Sequence, residues 1–424
     1  MKRTTVVAVV LVFAVLVAGL VVGLVQFTGD GGSLEEQWVS DTARDHTGNH
    51  HPVAVVERAG GADVIAPIND VGDDASMTPT SCALTALDGG TGEIDWQAGM
   101  PIEHCHIHTF SDPRIADVTG DGTPDVLVGT GRRALVAYDG TDGSELWDRE
   151  FETIGYSRPV LVDLTDAPGE EVVAVDFRGN AYAVASDGTP LWHRALNGTV
   201  WAEPAVGDFT GDGTTEIAVG SAEGAVGSDE GVVLLAADGT VERRIDIPVF
   251  SMVDADVDAD GRPELVVATP GNDGDVIAAL DPESGERAWT VTTEGDPRVS
   301  AVGDGDGDGD PEAYVSVRGG RVVALDAASG DREWETEISV GGNTIVPAPS
   351  LGDVDGDAEP ELAVAAANGL VAVLDPSNGD ELAAYERDVP VLAPPTPGDI
   401  DGDGDEELLA IYSDGRVVAL NYEA

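Results

Sequence analysis

Basic residues are the scarcest feature of this chain: 21 Lys and Arg stand against 80 Asp and Glu, for a formal net charge of −59. Lys2 is the sole lysine, so nearly every cation is a guanidinium. No basic stripe exists to meet a phosphate backbone, which excludes a nucleic-acid partner. Self-repulsion of this size destabilises a compact chain in dilute buffer. Molar salt shortens the Debye length to about 3 Å and removes most of that penalty. The acids are spread among apolar, strand-like runs, which excludes a disordered acidic tail. Aromatics are also sparse at 5%, and apolar residues come in short runs among 54 glycines. That profile fits many short strands joined by tight turns and excludes a long-helix architecture.

Long apolar runs are absent with one exception. From Thr4 to Phe27 no charge interrupts the sequence, enough to span a hydrocarbon core of about 30 Å. Lys2 and Arg3 before it and Asp30 after it predict a cytoplasmic stub at 1–3, a transmembrane anchor at 4–27 and an outward-facing remainder. A cleaved signal peptide with a VAG site near Gly19 is the alternative, although the run exceeds a typical signal h-region. Cysteine is limited to Cys82 and Cys105, both in the outward part, where a disulfide is permitted and two buried thiols are the alternative. Neither closely follows the apolar run, so a lipid anchor is not indicated.

What is present is a repeat of about 46 residues. An acidic loop runs into an apolar strand in DVTGDGTPDVLVG from Asp117, DFTGDGTTEIAVG from Asp208 and DVDADGRPELVVA from Asp256. It recurs in DGDGDGDPEAYVS from Asp304, DVDGDAEPELAVA from Asp353 and DIDGDGDEELLAI from Asp399. A weakened copy starts at Asp163, and a worn one at VVERAGGADVIAP keeps only strand character and Asp63. Between these loops lies an alternating strand, a Gly/Asp turn and a strand ending in an aromatic: Trp96, Trp147, Trp192, Trp289, Trp334 and Tyr385.

Each period therefore reads as strands A to D, with the acidic loop joining A to B, as an all-β propeller requires. The last repeat ends after strand C, and the segment around Trp38 within the 28–51 linker reads as an orphan strand D. Pairing the two completes a ring over 52–424 without exposed edges and gives eight blades, or seven if the worn repeat is only a connection. The recurrent Trp residues then wedge between blades as core.

The loop from Asp256 places Asp256, Asp258, Asp260 and Glu264 at positions one, three, five and nine, with Gly261 at the turn. Carboxylates converging in one short loop repel each other unless a hard cation such as Ca²⁺ sits among them. The corresponding residues are Asp117, Thr119, Asp121 and Asp125; Asp208, Thr210, Asp212 and Glu216; and Asp304, Asp306, Asp308 and Glu312. The remaining loops offer Asp353, Asp355, Asp357 and Glu361, and Asp399, Asp401, Asp403 and Glu407. The Asp163 loop departs through Ala167 at position five, and Ala358 replaces the turn glycine of the Asp353 loop, predicting strain.

These loops resemble FG-GAP and VCBS-type repeats, known from integrin α-subunit propellers, and the resemblance implies calcium in the A–B loop. The VxALDxxxGxxxW half of each period resembles PQQ-like propeller repeats of quinoproteins and outer-membrane assembly factors. The acidic composition resembles that of proteins from extremely halophilic archaea.

Six of seven histidines fall in two stretches, His46, His50 and His51, and His104, His106 and His108. Both are D-to-A connections, with His46 and His108 equivalent, on the face opposite the acidic loops. If HCHIH is extended, His104, His106 and His108 share one side, as Zn²⁺ or Cu²⁺ ligands would. A polar loop pair is the plainer reading. The quinoprotein resemblance implies a PQQ-dependent dehydrogenase as the alternative function, and its tricarboxylate cofactor calls for clustered cations. Arg114, Arg158 and Arg298 lie near strand-A starts without forming a convincing set, and no nucleophile constellation stands out. The expectation is a membrane-anchored, calcium-binding propeller that binds or scaffolds an extracellular protein or glycan.

Overall fold

The computed structural model describes residues 32–44, 48–58, 61–70, 81–165, 167, 169–222, 231–269, 274–338 and 344–423. The predicted anchor at 4–27 and His46 lie outside the described residues. Among the described residues no helix is long and apolar enough to cross a membrane.

Eight antiparallel four-stranded sheets make up the fold. Seven are consecutive: blade 1 over 54–100, blade 2 over 114–150, blade 3 over 160–195, blade 4 over 205–245, blade 5 over 251–293, blade 6 over 298–337 and blade 7 over 350–386. Blade 8 takes strands A to C from Thr396–Gly398, Glu407–Ile411 and Val417–Glu423 and its strand D from Ser33–Val39 at the other end of the sequence. The predicted closure and blade count hold, and the worn first repeat is a complete blade.

The B and C strands are unbroken apolar runs because both of their faces are covered. Asp125–Thr130, Glu264–Thr269 and Glu312–Val317 are buried along their whole length. Strand D alternates, one face packed and one in solvent, as in Glu145–Glu150. Buried apolar side chains form eight clusters, each shared by two neighbouring blades. The cluster containing Trp38, Val64, Leu87, Leu409 and Ala419 joins blade 8 to blade 1 and completes the ring.

The strand-D tryptophans act as wedges. Trp96 donates its indole N–H to the carbonyl oxygen of Gly140 in the next blade at 2.9 Å, and Gly143 leaves just enough room beneath the ring. Trp147, Trp192, Trp289 and Trp334 repeat the contact with Ser186, Ala237, Ala327 and Pro376. Blade 4 has Arg243 in that register, opposite Leu234, and its guanidinium donates to the Ser284 carbonyl of blade 5 at 3.1 Å. Blade 7 has no aromatic wedge in that register. The wedge register there, opposite Val373, belongs to Ala383, and Tyr385 lies two residues further on the same face. The reason is the ring closure: blade 8 takes its strand D from Ser33–Val39, so no C–D hairpin joins those strands for a wedge to rest on. Tyr385 instead donates to Glu36 of the closing strand at 2.6 Å.

Candidate functional site

Two regions on opposite ends of the A strands gather chemistry. At the first, the acidic A–B loops share one internal frame. The acid at position nine begins strand B and turns back into the loop, where it accepts the backbone N–H of position two. Glu264 accepts from Val257 at 3.1 Å, Glu361 from Val354 at 2.9 Å and Glu407 from Ile400 at 2.9 Å. Asp125 and Glu312 do the same with Val118 and Gly305, and Glu216 accepts from Thr210, one residue later. The position-one Asp accepts from the turn residue: Gly122 to Asp117, Gly213 to Asp208, Gly261 to Asp256 and Gly309 to Asp304. Gly404 donates likewise to Asp399, and Ala358 to Asp353 at 3.0 Å. That turn residue has positive φ in each loop, 91° for Gly261 and 74° for Ala358, so the predicted strain at Ala358 is real.

Carboxylate oxygens converge within 4.8 Å of one another in Asp208, Asp212 and Glu216, in Asp256, Asp258 and Asp260, and in Asp304, Asp306 and Asp308. Blade 6 adds Glu333 from strand D, which joins Asp306 and Glu312 in a second such group and escaped the sequence reading. Burial, with the neighbouring loop acids adding to it, pushes Glu361 and Glu407 up to about 7 and Glu312 to about 6. Among the described residues the Asp163 loop keeps the position-nine grip, with Glu171 accepting from Leu164 and from the Thr165 hydroxyl, both at 2.7 Å.

Blade 1 solves the same charge problem differently. Its Asp63 occupies the position-nine register, opposite Asp88 as Asp125 is opposite Asp139. In place of the acidic loop, strands A and B pair as far as Arg58 with Gly61, and Arg58 places its guanidinium 2.5 Å from the Asp63 carboxylate.

The second region is the mouth formed by the D–A connections. Cys82 and Cys105 form a disulfide that ties strand C of blade 1 to this connection. HCHIH is not extended: Ile102–His104 is a turn of 3₁₀ helix and the chain then turns again before Thr109. His104 and His106 therefore do not line up with His108. The histidines that meet are His50, His51 and His108. Aromatic rings continue from them. His108 lies 5.0 Å from Tyr156, Tyr156 5.1 Å from Trp201, and Trp201 stacks on Phe250 at 5.5 Å. Arg298 covers the outer face of Phe250 at 3.7 Å. Sequence reading missed Tyr156, Trp201 and Phe250, whose only signal was an aromatic shortly ahead of strand A in successive repeats. Burial, with the other imidazoles adding to it, lowers His50 to about 4 and His108 to about 3, which keeps both neutral.

Below this mouth the A strands of blades 2 to 6 line a cavity of about 260 Å³ with Arg114, Glu203, Asp254 and Ser300 on its wall. Arg158 pairs with Glu203 at 3.7 Å. Of the three arginines singled out from the sequence, Arg158 thus meets Glu203 and Arg298 the ring of Phe250, while Arg114 shares the cavity wall with Glu203 and Asp254.

The profile of the family described as outer membrane protein assembly factor BamB, a PQQ-like repeat family, matches residues 80–241 and 272–424. The chain belongs to this family. No curated protein matches its sequence. Among solved structures this BamB-family propeller is similar to BamB from Moraxella catarrhalis, at 18% identity and a TM-score of 0.58, over 92% of this chain and 97% of that one. The V. cholerae biofilm matrix protein Bap1 superposes with a TM-score of 0.66 at 14% identity, over 92% and 91%. A quinohemoprotein alcohol dehydrogenase from Pseudomonas putida HK5 gives 0.64 at 12% identity, over 92% of this chain and 76% of that one. At these identities the likeness is one of fold.

Proposed function

We propose that this chain is a tethered, outward-facing propeller that binds or scaffolds an extracellular protein or glycan, with calcium-type ions in its A–B loops holding the ring rigid. The observation that carries the reading is the substitution made in blade 1. Where the acidic loop is intact, a buried position-nine carboxylate sits among loop acids; where the loop is gone, Arg58 brings a cation to the same register at Asp63. In blade 3, whose loop lacks the acid at position five, Glu171 is held by hydrogen bonds alone among the described residues. A cation is therefore called for where several acids converge or the loop donors are gone. The intact loops offer oxygen donors alone, the donor set of a hard ion that accepts six to eight oxygens.

The run from Thr4 to Phe27 supports a membrane anchor, and the charge of −59 supports a brine setting. The aromatic mouth around Tyr156, Trp201 and Phe250 supports recognition on the D–A face. A dehydrogenase using a tricarboxylate quinone fits poorly there. Glu203 and Asp254 on the cavity wall, with Asp112 close by, would repel such a cofactor and neutralise the arginines that might attract it.

Elemental analysis and thermal melts in high salt, with and without a chelator, test the ion. Several bound calcium ions per chain and a melting temperature lowered by chelation are expected. No calcium and an unchanged melt would overturn the proposal.

A further inference from the structure

Two D–A connections that are far apart in sequence bring His50, His51 and His108 together, with one ring nitrogen of each within 4.8 Å of the others. The hydrogen bonds behind two of these rings assign their tautomers. His50 Nδ1 donates to the Gly48 carbonyl at 2.8 Å, and His51 Nδ1 donates to the Asp112 carboxylate at 2.6 Å. A carbonyl and a carboxylate only accept, so in the neutral rings both Nε2 atoms carry a lone pair.

His51 Nε2 is the decisive atom. The residue is 2% exposed, and this nitrogen has no hydrogen-bond partner among the described residues. Burying a polar atom without a partner is costly, so a lone pair held in this way points to a missing cation or donor. His50 Nε2 faces His108 Nδ1 at 3.0 Å. Two ligands of a tetrahedral ion with bonds near 2.0–2.1 Å stand roughly 3.3 Å apart, so small ring rotations would accommodate one. Asp112 behind His51 completes the carboxylate–imidazole pair that orients metal-binding histidines.

We propose that His50, His51 and His108 form a site for one divalent ion of the zinc class, with Asp112 as the positioning residue for His51. Three imidazoles leave a fourth position for water or a ligand group, and nitrogen donors separate this site from the oxygen-only A–B loops. The inference stands independently of calcium in those loops.

The test uses the full chain, stripped with a chelator and then held in excess Ca²⁺ at high salt. Zn²⁺ is titrated calorimetrically, and Co²⁺ is added in parallel while its visible ligand-field bands are recorded. One equivalent of Zn²⁺ undiminished by Ca²⁺, and the intense bands of four-coordinate cobalt, are expected. His108→Gln and His51→Gln should weaken Zn²⁺ binding at least 100-fold, and Asp112→Asn by about 10- to 100-fold with the cobalt spectrum kept. His108 is only partly buried, so H108Q carries the test if H51Q does not fold. Absence of a Ca²⁺-resistant equivalent, a six-coordinate cobalt spectrum, or equal Zn²⁺ binding in H108Q would each overturn the proposal.

Discussion

Trp38 donates its indole N–H to the carbonyl oxygen of Gly89 at 2.6 Å, and Gly92 lies directly beneath the same ring. This joins the first described strand to blade 1 while that strand itself pairs with Val417–Glu423, so one side chain fastens both sides of the closure. Trp38→Ala should destabilise the propeller by about 3–5 kcal/mol, the cost of an aromatic removed from a packed core. Trp38→Phe should cost less, since it keeps most of the apolar contact and loses one hydrogen bond. Denaturant unfolding checks both; a loss under about 1 kcal/mol for Trp38→Ala would show that closure does not depend on the wedge.

Ala358 holds a φ of 74° where the corresponding turn residues are Gly122, Gly213, Gly261, Gly309 and Gly404. A Cβ on any of those five glycines would meet nothing within 4 Å, so the cost at Ala358 lies in the backbone and not in crowding. Ala358→Gly should therefore stabilise the ion-free protein by about 1 kcal/mol, read as a higher denaturation midpoint. The reverse change, Gly261→Ala, should lower it by a similar amount.

These loops show how much of the fold the sequence carried. The acidic turn recurs in phase because each copy needs the same positive-φ residue and the same position-nine grip, so blade boundaries were legible. The strand around Trp38 was legible because the last repeat lacked a partner for it. The wedge position of blade 7 was not legible, because positions two apart share a face of a strand and only the register shows that Ala383, not Tyr385, holds it. The histidine trio was half legible. His50, His51 and His108 belong to the two stretches identified, but a turn of 3₁₀ helix at Ile102–His104 and the disulfide at Cys105 break the alternation that would have aligned His104 and His106. Tyr156 and Trp201 hold the same place ahead of strand A in connections of equal length, so their contact follows the repeat, and the recurring aromatic was the one trace it left in the sequence.

Arg58 and Asp63 offer a direct probe of the charge at position nine. The Asp63 side chain is 7% exposed and that of Arg58 32%. Arg58→Ala leaves the carboxylate buried without its cation and should cost roughly 1–2 kcal/mol once the partial exposure of the arginine is allowed for. Arg58→Ala combined with Asp63→Ala should recover part of that loss, because no charge is then stranded. A double variant less stable than Arg58→Ala would show that the carboxylate does not need a cation there.

Glu203 gives the cavity a pH signature. Burial raises its pKa above the usual 4.5, and Arg158 only partly offsets the rise. A carboxyl whose pKa is higher in the folded than in the unfolded state binds more protons when folded. Its contribution is fully present below about pH 4.5 and is lost as pH rises through the folded value. Glu203→Gln should remove this dependence, so stability of the wild type relative to the variant should fall as pH is raised from 4 to 7. A difference that stays flat across that range would show the carboxyl to be solvated.

The disulfide between Cys82 and Cys105 spans 23 residues and fixes the connection that presents His106 and His108. Closing a loop of that length restricts the unfolded chain by about 3 kcal/mol in the loop-entropy account. Cys82→Ser with Cys105→Ser should lower stability by about that amount, and the loss should match reduction of the wild type. The local consequence separates this from a general weakening. Thr109 donates from its hydroxyl to the His106 carbonyl and accepts the His106 backbone N–H, both at 2.6 Å, and these bonds form beside Cys82. Releasing the staple should therefore loosen His108 before it disturbs the blades. Hydrogen exchange should rise over 101–111 while the amides of Asp125–Thr130, buried on both faces, stay protected. Uniformly faster exchange through both segments would assign the disulfide to the whole ring rather than to its mouth.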